Sequence, residues 1–255
     1  MLAGRLQVLK EGDLIMRLKP FTTSSDYKIL KFLTLLAAVL LMAAPAYALS
    51  PPPSFKVNGD TAVFVDFTSV QYVLTFNQST QKATAVTTIK FNAIQEGNPL
   101  FDSVHTPQGV TLDGQAVTTT LIKSPGDRTS YQMVNQRVLK GQHTLVIRIN
   151  LVNGVKFTGK GPVAGFFTND LVNRHMLERY VPANLEYDQM KMDFIIQVTG
   201  GNAPDMDLFV NGQAKKVNAR RWDVSYPAHY NSGALYFRCD GIQWRNNHGP
   251  LFTSS

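Results

Sequence analysis

Five histidines, His105, His143, His175, His229 and His248, are the residues of this 255-residue chain best suited to hold a metal or move a proton. A hydrolytic zinc ion is gripped from one helix face by two histidines four residues apart, with a glutamate between them acting as base. None of the five stands four residues before another, so the chain offers no His-Glu-x-x-His set and no metal-ligand group. His175 and Glu178 are three apart, a spacing that recurs on helices of di-metal carboxylate sites. Without a second such pair, this segment reads as a solvated turn. Cys239 is the single cysteine and closes no internal disulfide, which makes it an apolar filler rather than a reactive thiol. A Gly-x-Ser-x-Gly elbow is missing, which removes the serine-hydrolase reading. GVKFTGKGP, from Gly154 to Pro162, has glycines and lysines but no Lys-Ser/Thr opening a helix, so it reads as a loop rather than a phosphate cradle. Trp222, Tyr226, Tyr230 and Trp244 do not fall on one strand face as a sugar platform would, and core packing or loop anchoring is the expectation for them.

The elements that must carry these residues are strands. From Thr61 onward, apolar and polar residues alternate in short runs broken by Gly, Pro, Asn and Asp, the period-two pattern of half-buried antiparallel strands. Strands are predicted at Ala62–Phe67, Gln71–Asn77, Ala83–Phe91, Ala116–Ile122, His143–Leu151, Met192–Val198, Met206–Val210, Arg221–Ser225 and Ala234–Phe237. In Ala83–Phe91, Ala83, Ala85, Thr87, Ile89 and Phe91 share one face, while Thr84, Val86, Thr88 and Lys90 share the other, one side being core and one mostly wet. Asp113-Gly114 and Asn211-Gly212 mark two hairpin tips, because both central residues tolerate positive φ. The strand count implies an all-β antiparallel sandwich at residues 61–237.

Before that domain, a basic pair at Lys28 and Lys31 leads into the apolar run Phe32 to Ala48, which closes on Ala46-Tyr47-Ala48. Residues 1–48 therefore read as a secretory signal peptide with an N-terminal extension, cleaved after Ala48, with Met16 as an alternative start. The expected product is periplasmic or secreted, without a stable membrane anchor. Cleavage takes six of the 25 basic and three of the 18 acidic residues, leaving 19 against 15. That excess, without a basic stripe interleaved with aromatics, argues against a nucleic-acid partner. Pro51-Pro52-Pro53 reads as an extended tether over 49–60, and 238–255 as an irregular tail.

The segment RHMLERYVPANLEYDQMKMDFIIQVT, from Arg174 to Thr199, resembles the end of the N-terminal β domain in aminopeptidase N-type zinc metallopeptidases. There a Pro-rich, acidic bend leads into a Lys-x-x-Phe strand, here Lys191 to Phe194. YVLTFNQSTQKATAVTTIKF, FDS at Phe101, LDGQAV at Leu112, GQHTLVIRI from Gly141 and GFF at Gly165 follow the family's order from about Tyr72 to Phe237. The resemblance implies a sandwich with a saddle-like larger sheet that caps the zinc site, walls the substrate channel and packs on the catalytic domain through the bend near Pro182. Glu178, Arg179, Glu186 and Asp188 surround Pro182. The resemblance makes them a substrate rim or interdomain ion pairs, whereas the residues alone read as a loop held by its own Arg–carboxylate pairs, which contribute little when exposed.

Two departures accompany the match. Asn169, Asp170 and Glu178 are the acids and amides near the position where the family anchors the substrate amine, and none has the family's Gln-x-Glu-like context. The bend has Asn184 to Gln189 where relatives have a Phe-Asp-Glu-Pro-like run. No zinc-binding motif follows, so the expected chain binds no cofactor itself, zinc belonging to a missing catalytic domain. Its expected function is that of the non-catalytic N-terminal domain of a truncated or frameshifted exported peptidase, with the catalytic domain, and peptides, as partners. The alternative is a stand-alone binding module for a peptide or glycan. An exposed docking surface would favour self-association.

Overall fold

A computed structural model describes residues 52–123, 130–158, 161–167, 177–184, 189–201, 207–228 and 236–240. Residues 1–48, where a signal peptide is expected, Glu186, Asp188, His175, His229, His248, Tyr230 and Trp244 lie outside the described residues, as does the Cys239 side chain.

The alternation in the sequence becomes an all-β fold of strands β1 (Phe55–Val57), β2 (Asp60–Val63), β3 (Asp66–Asn77), β4 (Lys82–Ala93), β5 (Asn98–Asp102), β6 (Gly109–Leu112), β7 (Gln115–Val117), β8 (Thr119–Lys123), β9 (Ser130–Val134), β10 (Gly141–Asn150), β11 (Val155–Thr158), β12 (Gly161–Phe167), β13 (Lys191–Thr199), β14 (Asp207–Val210), β15 (Gln213–Asn218), β16 (Arg221–Tyr226) and β17 (Tyr236–Asp240). Among the described residues they form a large curled sheet in the order β15-β16-β13-β3-β4-β10-β6-β7, a second of order β1-β2-β5-β9-β8 and a third of order β11-β12-β17-β14.

The two faces of β4 are those the sequence implied: Ala83, Ala85, Thr87, Ile89 and Phe91 are buried, and Lys90 is exposed. Register carries the buried face across the sheet. Ile147 of β10, Thr87 of β4, Tyr72 of β3, Phe194 of β13 and Val224 of β16 stand side by side in one rung. Within it the Tyr72 and Phe194 rings stack at 4.5 Å, and Phe194 meets Tyr226 edge-on at 5.9 Å. A bulge at Thr68 absorbs one residue in β3, so Phe67 and Val70 both face inward. Trp222 and Tyr226 share the buried face of β16, which makes both core residues.

Several expectations need correction. The large sheet is mixed rather than wholly antiparallel, because β13 pairs parallel with β3 from Lys191↔Ser69 to Thr199↔Asn77. Asp113-Gly114 does form the β6–β7 hairpin tip, with φ of 50° and 82°. Asn211-Gly212 does not form a hairpin: β14 pairs with β17 and β15 with β16, so the chain passes from one sheet to another there. Gly212 is glycine for a different reason, since a Cβ would lie 2.7 Å from the Tyr226 ring. GVKFTGKGP is not a loop but supplies β11 and the start of β12. The predicted strand Ala62–Phe67 breaks at Phe64-Val65, whose side chains are both buried and so show no alternation. Phe55–Val57 and Asp60–Val63 pair as a hairpin over Asn58-Gly59, so strand structure begins within 49–60.

Candidate functional site

The bend that carried the resemblance is an irregular segment built into the sheets by hydrogen bonds. It begins with one turn of 3-10 helix, Leu177–Arg179, closed by the Tyr180 and Val181 N–H groups on the Leu177 carbonyl. Leu177, Val181 and Ala183 are fully buried and Tyr180 nearly so, which makes the bend part of the main core rather than a surface loop.

Every buried backbone polar group needs a partner, and a bend has no ladder of its own to provide one. Here the surrounding strands provide them. Tyr72 of β3 donates its hydroxyl to the Pro182 carbonyl at 2.9 Å, a buried bond. Asn184 donates its amide to the Val65 carbonyl at 2.9 Å. Asp102, at the end of β5, exchanges two backbone bonds of 2.9 Å with Ala183. Val104 N–H donates to the Glu178 carbonyl at 3.1 Å, and the Arg179 carbonyl accepts from His105 Nε2 at 3.0 Å and Asn153 Nδ2 at 2.8 Å.

These contacts fix protonation states. Because a carbonyl can only accept, His105 must carry its proton on Nε2. Burial lowers its pKa and outweighs the opposing bond to the Arg179 carbonyl, favouring the neutral ring. Burial holds the Tyr72 hydroxyl far above the ordinary phenol range, with the Glu178 negative charge adding to it. Tyr72 is thus a permanent donor here, not an acid.

The four charged candidates separate. Glu178 is buried, not part of a solvated turn, and its charge reaches Tyr72; the Arg179 side chain is exposed. Glu186 and Asp188 fall outside the described residues. Sequence reasoning missed Tyr72, His105, Asn153 and Asn184 as the bend's anchors. Tyr72 was legible only as a member of a predicted strand, and the other three carry no periodic signal.

A groove of ≈ 410 Å³ lies elsewhere, on the outer face of the large sheet over β13, β16 and β15. Its acids are engaged locally: Asp193 accepts from Ser225 at 2.7 Å and pairs with Lys191 at 3.0 Å, and Asp223 pairs with Arg221 at 3.1 Å. Among the described residues no three His, Cys, Asp or Glu side chains group to hold a metal ion.

No protein-family model and no curated protein match the sequence. Solved structures do match it. Yeast LTA4 hydrolase in complex with bestatin aligns over 80% of this chain and 32% of its own, with TM-score 0.52 and 11% identity. Native yeast LTA4 hydrolase aligns over 79% and 32%, with TM-score 0.51 and 10% identity. An M1 zinc metallopeptidase from Deinococcus radiodurans aligns over 69% and 42%, with TM-score 0.46 and 11% identity. The chain has the fold of the N-terminal part of such enzymes. It spans 32% of the length of the LTA4 hydrolase structures. At this level of identity the likeness is one of fold.

Proposed function

We propose that this chain serves as the non-catalytic N-terminal β domain of an exported aminopeptidase N-type zinc metallopeptidase, directed outward by residues 1–48. Its partner is a zinc-binding catalytic domain, against which the bend near Pro182 and the exposed Arg179 side chain form a cap on the substrate channel. The observation that carries this reading is the shared fold over 79–80% of the chain with about a third of a larger hydrolase. The bend supports it: Leu177–Asn184 is tied by hydrogen bonds to Val65, Tyr72, Asp102, Val104, His105 and Asn153, the rigidity that an interdomain wall requires. Zinc and peptide chemistry belong to that partner domain.

Two measurements test the proposal. Incubated with aminoacyl fluorogenic substrates, with and without added zinc, the purified chain is expected to release no product. Stoichiometric, tightly held zinc together with peptide-bond cleavage would falsify the non-catalytic role. The DNA adjoining the coding region, translated in all frames, is expected to encode a His-Glu-x-x-His helix with a later glutamate; a neighbourhood lacking one removes the proposed partner.

A further inference from the structure

We propose that His143 is a protonation-dependent clasp, closed as the imidazolium, that fastens the end of the 135–140 loop to the β6–β7 turn. Its Nδ1 lies 2.7 Å from Asp113 Oδ2 and its Nε2 lies 2.9 Å from the Leu139 carbonyl. Both partners are acceptors. A neutral imidazole has one N–H and can serve only one of them, whereas the imidazolium serves both. The ring is held between these groups by Phe91, 5.5 Å away and tilted by 31°.

The carboxylate cannot follow the ring. Its Oδ1 accepts from the Thr144 N–H at 2.9 Å, and the Asp113 N–H donates to the Thr144 carbonyl at 2.8 Å, so Asp113 is pinned to β10. The loop has other anchors at its start and middle. Asn135 bonds to Thr118 through backbone and side chain, Val138 exchanges two backbone bonds with Gly97, and Arg137 pairs with Glu96. None of these involves a histidine. The end of the loop, where Leu139 is exposed, is fastened by His143. Ring deprotonation therefore loosens that end and leaves the sheet intact.

Among the described residues, Asp113 from the β6–β7 turn is the charged group bearing on the ring. Phe91 from β4 is uncharged, Lys90 stands on the opposite face of β4, and Lys140 adjoins Leu139 in the loop. Burial lowers the His143 pKa, but the bonds to Asp113 and Leu139 and the Asp113 charge outweigh it, so the net shift is upward. Burial raises that of Asp113, but the Thr144 N–H and His143 outweigh it, so the net shift is downward. The clasp is consequently complete below the ordinary histidine value and is lost as pH rises through the folded one. It is lost a second time in acid, as pH falls through the depressed Asp113 value.

Ring-nitrogen NMR titration of the full chain tests the clasp. His143 is expected to titrate above free histidine, with both ring nitrogens protonated when closed, and the Leu139 to Gly141 amides should shift with the same midpoint. Hydrogen exchange at those amides should quicken by about fivefold on opening, the population change carried by one ordinary hydrogen bond. Asp113→Asn should lower the His143 midpoint, and His143→Gln should abolish the loop's response. Titration at or below the free-histidine value, or loop amides that follow another midpoint, overturns the proposal; the wild-type titration decides even if a variant fails to fold.

Discussion

The β3–β4–β13 sheet and the bend at Leu177–Asn184 are both buried, yet they are held by different physics. The sheet is over-determined: register, alternation and stacked rings all place Tyr72 beside Phe194, and a slip of one residue would turn every side chain to the wrong face. The backbone carbonyls of the bend are held by few contacts, each specific: Tyr72 of β3 donates to the Pro182 carbonyl, and His105 and Asn153 both donate to that of Arg179. Apolar burial is non-directional and tolerates repacking, whereas a buried carbonyl without its donor has no substitute. The first region therefore supplies stability and the second supplies shape.

Substitutions can break this contrast. The largest effect is expected from Phe194→Ala, which empties the middle of the rung between Tyr72 and Tyr226. It should cost about 3–5 kcal/mol in urea unfolding, with the loss felt across the whole sheet. Tyr72→Phe keeps the ring stacked and removes only the donor to the Pro182 carbonyl. A cost of about 1–3 kcal/mol is expected, with hydrogen exchange quickened in the bend and not in β13; equal quickening in both would mean that bend and sheet are one cooperative unit. The smallest effect should come from Thr87→Val, in the same rung. Among the described residues the fully buried Thr87 hydroxyl finds no hydrogen-bond partner, so a methyl in its place should leave stability unchanged or raise it by up to about 1 kcal/mol. A clear loss of stability there would show that the hydroxyl has a role in the core.

Legibility followed the same division. The two faces of β4 could be read residue by residue because its neighbours on both sides are strands of one sheet, so alternation reports burial directly. Phe64-Val65 and Asn98–Asp102 were opaque for the opposite reason: they are buried on all sides and show no period. LDGQ and VNGQ look alike, and only the first is a hairpin tip, because local turn preference yields to which strand each flank can pair with. The bend was recognisable as a segment, through ERYVPANLEYDQMKMDF, without any indication of what holds it.

By itself the sequence determined the fold class, the two faces of β4 and the absence of a His-Glu-x-x-His set, since each depends on the types and spacing of neighbouring residues. Only the tertiary structure decided that β13 runs parallel to β3, that Glu178 is buried, that Gly212 makes room for an aromatic ring and that His143 faces two acceptors at once. Those facts join residues far apart in the chain, and no local preference encodes which distant group will supply the missing partner.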